Sequence, residues 1–279
     1  MTFQRALAWS ITWIGLSLLV ALGIDYYFGS GPAQAFLTGY ALEKALSIDN
    51  LFVFFMIFSY FGIKREAQRR ALNFGLLGVI VLRGILIFSG MALVKRFEWI
   101  MYFFGAIVIY TGFVMAFAGE HSFDPSKSRI VKLASRLIPV SKSFNGSRFF
   151  TVEMGRRVAT PLLLVVVVIE IMDVLFAVDS IPAIFSVTRN PFIIYASNIL
   201  AVLGLRSLYF LLVKAHDAFR FVKQGIGLIL WFIGVKMIVP SFWPNVVISN
   251  TLALGVVISV LIVAIVLSLM IKKPETNAA

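Results

Sequence analysis

Three acidic side chains lie in one long apolar stretch of the sequence. The segment 161–186 is about as long as a transmembrane helix and carries Glu170, Asp173 and Asp179. A carboxylate at the centre of a bilayer costs roughly 3 kcal/mol on insertion scales, so packing alone does not explain three of them in one segment. Acids at this depth are typical of cation pathways. The alternative is a structural network of ion pairs with buried basic residues.

A second apolar segment, 36–61, carries acids at the same spacing. In each segment two acids lie six residues apart, and a polar residue follows the second acid. The residues concerned are Glu43, Asp49 and Asn50 in the first segment and Asp173, Asp179 and Ser180 in the second. On a straight helix Glu170 and Asp179 point to opposite faces, so one helix cannot aim all its acids at a single point. The acids could therefore form one site or two.

The chemistry of these side chains favours a hard metal ion, because all of them donate through oxygen. The candidate metal ligands are Glu43, Asp49, Asp173, Asp179, Glu170, Asn50, Ser180 and Asn198. Oxygen ligands suit Mg²⁺, Ca²⁺ and Mn²⁺. The deep basic residues Arg83, Arg206 and Lys44 are expected to balance part of the negative charge. We therefore expect a divalent cation as substrate, no permanent cofactor, and protons as a candidate coupling ion.

The composition indicates a membrane protein. The chain has 279 residues, of which 60% are hydrophobic and 14% are charged, whereas a soluble domain has about 25% charged residues. Because lipid offers no partners to backbone groups, the apolar segments must cross the bilayer as helices. The chain contains no cysteine, so thiol redox chemistry by this chain itself is excluded. The sequence predicts an all-α integral membrane protein without enzymatic activity.

Hydropathy predicts eight transmembrane helices in a single membrane domain. Their ranges are 6–28, 36–61, 71–94, 99–118, 161–186, 192–213, 221–239 and 246–271. The termini and even-numbered loops carry 18 Lys and Arg residues, against 3 on the other side. Because basic residues mark the cytoplasmic side, we expect both termini in the cytoplasm. The net charge of +12 reflects this orientation and predicts no nucleic-acid partner.

The two acidic segments begin two related helix triplets. Besides the acids, Arg83 aligns with Arg206, and the segment 105–115 aligns with 227–237. The first triplet covers 36–118 and the second covers 161–240, with one flanking helix at each end, 6–28 and 246–271. An odd number of helices in each copy forces opposite orientations, which predicts an inverted repeat of the kind that secondary transporters use. Between the copies lies a basic cytoplasmic loop, 119–158, which contacts anionic headgroups or a protein partner.

Long stretches of the sequence resemble the TerC family of bacterial and plastid membrane proteins, in particular its Alx branch. They are LEKALSIDNLFVFF, LRGILIF, ATPLLLVVVVIEIMDVLFAVDSIPAIF and GLRSLYFLL. The resemblance implies export of manganese from the cytoplasm and a distant similarity to LysE-type transporters. It points to Glu43 and Asp49 in the first motif and to Glu170, Asp173 and Asp179 in the second. Members of the Alx branch begin with one further span, which would place the N-terminus of such a form outside.

Two other functions are compatible with the sequence. The family name refers to tellurium resistance, and some members are called redox modulators, so the chain could be a membrane scaffold for stress-response partners. An intramembrane aspartyl hydrolase with Asp49 and Asp179 as its dyad needs two aspartates that share a proton. The sequence around these aspartates lacks the GxGD context expected of that class. We therefore expect a metal-ion transporter first and a scaffold second.

Overall fold

The computed structural model describes residues 2–97, 99–117, 127–137, 140–141, 148–153, 155–213, 221–243, 246 and 248–271. Within these ranges the side chains of Asp49, Ser135, Leu137, Arg156 and Ser241 are not described. Ten helices and two strands follow one another along these parts of the chain.

Long helices dominate the structure. They are α1 (Phe3–Phe28), α2 (Ser30–Tyr60), α3 (Arg65–Arg96), α4 (Ile100–Phe117), α6 (Pro161–Phe185), α7 (Pro191–Leu203), α8 (Leu205–Leu212), α9 (Val222–Phe242) and α10 (Asn250–Met270). Local signals set several of the boundaries. Proline opens both α6 and α7, where its missing N–H is not needed. The side chain of Asn190 caps α7 by accepting a hydrogen bond from the N–H of Phe192.

Six of these helices are long and apolar enough to cross a membrane, and the bent pair of α7 and α8 would be a seventh. Many large apolar side chains on them are exposed, as expected of a surface that faces lipid. The chain is therefore a multi-pass membrane protein. The remaining predicted span corresponds to α2, whose 31 residues include Glu43, Lys44 and Asp49 and which does not pass the same test. The count of eight spans is thus confirmed in part and stays a prediction for α2.

The loop between the two triplets corrects the all-α prediction. It contains a short helix, α5 (Arg129–Leu137), and two antiparallel strands, β1 (Phe150–Glu153) and β2 (Arg156–Ala159). Gly155, with a φ of 75°, provides the left-handed residue that the tight turn between the strands requires. The amphipathic pattern of α5 buries Val131 and Ala134 against the bundle. The sequence pattern does not predict this hairpin, because each strand has only four residues, too few for a clear alternation of polar and apolar side chains.

The span predicted at 192–213 is broken at Gly204, where α7 and α8 meet at 41°. The ammonium nitrogen of Lys44 lies against Gly204, where any Cβ would collide with it. It donates a hydrogen bond of 2.9 Å to the carbonyl oxygen of Ala201, in the last turn of α7. Carbonyls in the last turn of a helix lack intrahelical donors, so this bond satisfies one of them.

Helices α4 and α9 pack closely enough for their backbones to touch. A Cβ on Gly227 would lie 2.7 Å from the carbonyl oxygen of Gly112, and a Cβ on Gly234 would lie 2.9 Å from that of Gly105. Small residues allow this approach, which is how membrane helices associate without a hydrophobic driving force. We call these four glycines the glycine contact.

We expect Gly227→Ala to lower the free energy of unfolding by about 1–3 kcal/mol, because the added methyl group meets backbone atoms that cannot move aside. Gly15 of α1 has open space around it, so Gly15→Ala is the matched control. It should leave stability unchanged or raise it slightly, since alanine favours helix. Thermal melting of both variants in detergent tests this. Equal melting temperatures for the two variants would contradict the close packing.

Candidate functional site

A single arginine side chain joins the acids of the two triplets. Nε of Arg83, on α3, donates to Oδ2 of Asp173 at 2.9 Å, and its Nη2 donates to Oδ1 of the same carboxylate at 2.8 Å. Its Nη1 pairs with Oε1 of Glu43 on α2. Nη1 also lies 3.4 Å from Oδ1 of Asn198 on α7, whose Nδ2 donates to the other oxygen of Glu43 at 2.9 Å. We call these four residues the charge cluster.

The charge cluster is closed to solvent. The exposed fractions of its side chains are 1% for Arg83, 3% for Glu43, 1% for Asp173 and 1% for Asn198. With both acids ionised, two carboxylates face one guanidinium, and the cluster carries one excess negative charge. Removing two charges from water is compensated only by close geometry and further hydrogen bonds. The bidentate contact to Asp173 and the amide of Asn198 provide both.

The other two acids of α6 make no hydrogen bond to the described residues of the charge cluster. The spacing on the helix predicts the separation of Asp179 from Glu170, but it places Glu170 and Asp173 on one face. The carboxylate of Glu170 faces α3, where a Cβ on Gly78 would lie 2.6 Å from both of its oxygens. Both oxygens are buried and have no hydrogen-bond partner among the described atoms. Asp179 lies on another face and accepts a hydrogen bond of 3.0 Å from the hydroxyl of Thr111 on α4. Three neighbouring acids on one helix thus have three different surroundings.

The described side chains, which do not include that of Asp49, contain no group of three acids or histidines that could hold a metal ion. The prediction that Asp49 joins the acids lies outside the described side chains. Asn50 and Ser180 are buried, and the hydroxyl of Ser180 has no partner within the described structure. The hydroxyl of Ser47, one turn from Glu43 on α2, is buried in the same way.

Two of the predicted charge partners bind elsewhere. Lys44 donates to a backbone carbonyl of α7, as described above, rather than to a carboxylate. Arg206, the repeat counterpart of Arg83, is exposed, and its Nη1 donates to Oδ1 of Asn73 at 2.7 Å. Among the described side chains, which do not include that of Asp49, no acid pairs with Arg206, so its role in balancing the acids stays a prediction. Gly204, where the span bends, comes two residues before Arg206. The bend turns α8, which carries Arg206, relative to α7, which carries Asn198.

Sequence reasoning missed three residues that contact the candidate ligands or their partners. Thr111 and Asn73 are ordinary polar residues in apolar helices, and only the fold shows which charged group each one binds. Gly78 had a signal, since Gly75 and Gly78 lie one turn apart on α3. Small residues at this spacing indicate that another helix or side chain approaches closely.

Comparison with known proteins agrees with this architecture. Residues 28–276 match the family described as "Integral membrane protein TerC family". This chain belongs to the TerC family. A relative from Photorhabdus laumondii, "Putative membrane-bound redox modulator Alx", is 44% identical over 98% of this chain and 87% of its own length. The Alx protein of Escherichia coli K12 is 42% identical over 96% of this chain and 85% of its own.

The TerC relatives extend to plastids. The "Thylakoid membrane protein TERC, chloroplastic" of Arabidopsis thaliana is 43% identical over 94% of this chain and 68% of its own length. No solved structure matches this TerC protein. The names of the Alx relatives mention redox modulation, and none of the three names mentions a metal.

Replacing Arg83 with methionine should destabilise the protein by about 3–5 kcal/mol, because two buried carboxylates then lose their cationic partner. Arg206→Gln is the matched control, since it removes an exposed arginine with a single neutral partner and should cost about 1 kcal/mol. Melting temperatures in detergent measure both effects. Adding Glu43→Gln and Asp173→Asn to the Arg83→Met variant should restore part of the loss. An Arg83→Met variant as stable as Arg206→Gln would contradict the charge cluster.

Proposed function

We propose that this TerC protein exports divalent metal ions, Mn(II) in the first place, across the bacterial inner membrane. The observation that carries the proposal is the charge cluster, in which two acids from different triplets meet one arginine in the interior of the bundle. Buried intramembrane acids are expensive and are typically part of ion pathways. If these charged residues only fixed the packing of the helices, apolar residues in their place would stabilise the bundle equally well.

The donor set supports a hard cation as substrate. The charge cluster and its surroundings offer carboxylate, amide and hydroxyl oxygens, together with the unpartnered hydroxyls of Ser47 and Ser180. Such oxygens suit Mn²⁺, Mg²⁺ and Ca²⁺, whereas soft metals prefer the sulfur of cysteine, which this chain lacks. Manganese is our choice among the hard cations because the resemblance to the TerC family implies manganese export. Protons are the candidate counter-ion, because the same carboxylates can exchange a metal for a proton.

In this mechanism the guanidinium of Arg83 substitutes for the metal in the resting protein. It holds Glu43 and Asp173 together and neutralises one of their two charges. A divalent cation that enters between the carboxylates competes with the guanidinium, because both need the same oxygens. Release of the metal lets Arg83 return. The exchange keeps the buried acids paired in both states. The displaced guanidinium is buried as well, so it needs another acceptor while the metal is bound.

An inverted repeat with eight spans is part of the proposal. The sequence alignment pairs Gly105 with Gly227 and Gly112 with Gly234. In the glycine contact Gly112 faces Gly227, and Gly105 faces Gly234. Exchanging the two copies converts one of these contacts into the other, which supports a two-fold relation between the triplets. The contacts of α2 with α7 and of α3 with α6 exchange in the same way. The excess of basic residues supports cytoplasmic termini.

A membrane scaffold in a stress response is the second candidate, and the redox-modulator names of the Alx relatives favour it. Since this chain has no cysteine, any thiol involved would belong to a partner. A scaffold of this kind would act through the basic segment 119–158. It would move no metal when it is reconstituted alone, which separates the two candidates.

The test is metal flux in liposomes that contain only the purified full chain and an entrapped metal-sensitive dye. We expect Mn²⁺ flux with the native protein and at least a tenfold loss with Asp173→Asn, because the variant lacks one of the two carboxylates for which the metal competes with Arg83. Asp25→Asn removes an exposed acid near the end of α1 and should retain the native flux. Separate runs with Mg²⁺, Ca²⁺ and Zn²⁺ define the selectivity.

Folding of each variant is checked by its elution profile and by equal incorporation into the liposomes. Native flux in Asp173→Asn would reject transport through the charge cluster. If the native protein gives no flux with any of the four metals, the transporter proposal fails and the scaffold remains. Deletion of 122–150 then becomes the informative variant, because it removes most of the basic loop and leaves the charge cluster intact.

A further inference from the structure

Arg206 lines a cavity that the proposed transport pathway does not use. The cavity has a volume of about 220 Å³ and lies between α1, α3 and α8. The cavity is lined by the indole rings of Trp9 and Trp13 together with Asn73, Leu76, Leu203, Arg206 and Ser207. Only one hydrogen bond from the guanidinium is seen among the described residues, the bond to Asn73. Its other N–H groups remain available to a ligand.

A second arginine extends this positive surface. Arg69 precedes Asn73 by four residues on α3, and Phe210 follows Arg206 by four residues on α8, so each pair shares one face of its helix. The guanidinium of Arg69 lies 5.7 Å from the centre of the Phe210 ring. Helices α3 and α8 are thus in contact at two places along these faces. Asn73 contacts Arg206 at one place, and Arg69 contacts Phe210 at the other. Both guanidinium groups are exposed along these faces.

The position of the cavity points to a membrane lipid. Asn73 lies two residues inside the predicted span 71–94, and Arg69 lies two residues outside it. The contact between Asn73 and Arg206 is therefore near the level of the headgroups, on the side that the positive charges predict to be cytoplasmic. Tryptophan is typical of that level. Basic pockets between transmembrane helices on the cytoplasmic side bind the headgroups of anionic lipids.

From these contacts we infer that Arg206 and Arg69 bind the phosphate of an anionic phospholipid, with the headgroup in the cavity between α1, α3 and α8. Guanidinium groups hold phosphate oxygens through paired, charge-assisted hydrogen bonds. Two guanidiniums favour a headgroup with net negative charge over a zwitterionic one, whose own cation would be repelled. The indoles of Trp9 and Trp13 then cover the glycerol and the first carbons of the acyl chains.

Tryptophan fluorescence can test this binding directly. The full-length protein is reconstituted into phosphatidylcholine vesicles, and brominated phosphatidylglycerol or brominated phosphatidylcholine is added as a quencher. We expect the anionic lipid to quench at about fivefold lower concentration, since one basic group near the membrane surface changes anionic-lipid affinity by about that factor. Replacing both Trp9 and Trp13 with phenylalanine should remove the selective part of the signal, because the other three tryptophans lie elsewhere.

The preference for the anionic lipid is compared among three variants, each of which lowers the net charge of the protein by one unit. Arg206→Gln should abolish the preference for the anionic lipid. Asn73→Asp should do the same while keeping the helices packed, because the new carboxylate pairs with Arg206 and occupies its donors. Lys64→Gln is the matched control, since Lys64 is an exposed residue at the start of α3 that does not line the cavity. It should retain the preference.

Unchanged selectivity in both Arg206→Gln and Asn73→Asp would overturn the lipid site. The lipid site would also be overturned if Lys64→Gln lost as much selectivity as these two variants, because the preference for the anionic lipid would then arise from surface charge alone. Inorganic phosphate in millimolar amounts should not displace the lipid. Displacement by phosphate would assign the cavity to a soluble anion and overturn the lipid as its occupant. These outcomes do not depend on metal flux, so they are separate from the proposed transport.

Discussion

The pairing of Arg83 with Glu43 and Asp173 is the constraint on which the bundle depends. It joins α2, α3 and α6, and Asn198 adds α7. In a low-dielectric interior none of these charges can be left alone without a penalty of several kcal/mol. The four helices therefore keep their relative positions or change them together. The same restriction that fixes the fold also makes the acids available to a cation that can replace the guanidinium.

The two arginines that the sequence alignment pairs have different surroundings. Arg83 binds two carboxylates, whereas Arg206 is exposed and donates to a neutral amide. The difference follows from the break at Gly204, which Lys44 stabilises by binding the carbonyl of Ala201. Because Lys44 directly follows Glu43 in the sequence, the first triplet supplies both an acid of the charge cluster and the cation that supports the break in the second.

Much of this architecture could be predicted from the sequence. Hydropathy located the long helices to within about six residues, because lipid admits only long apolar segments. The sequence places Glu43, Asp173 and Asn198 among the candidate ligands and Arg83 among the charge partners, and the structure brings these four residues into contact. Which acid meets which arginine could not be predicted, since Arg83 and Arg206 have similar sequence surroundings and only the bend at Gly204 separates them. The contacts of Thr111 and Asn73 depend on helix rotation, which hydropathy does not encode.

The glycine contact has a mechanical consequence. Two helices whose backbones touch cannot separate or tilt against each other without opening a void, and interiors at native packing density tolerate few voids. Helices α4 and α9 therefore move as one rigid pair. The charge cluster lies on α2, α3, α6 and α7, so a movement that admits water or an ion to it shifts these four helices relative to the pair. The contact that holds the pair together consists of four residues without a side chain.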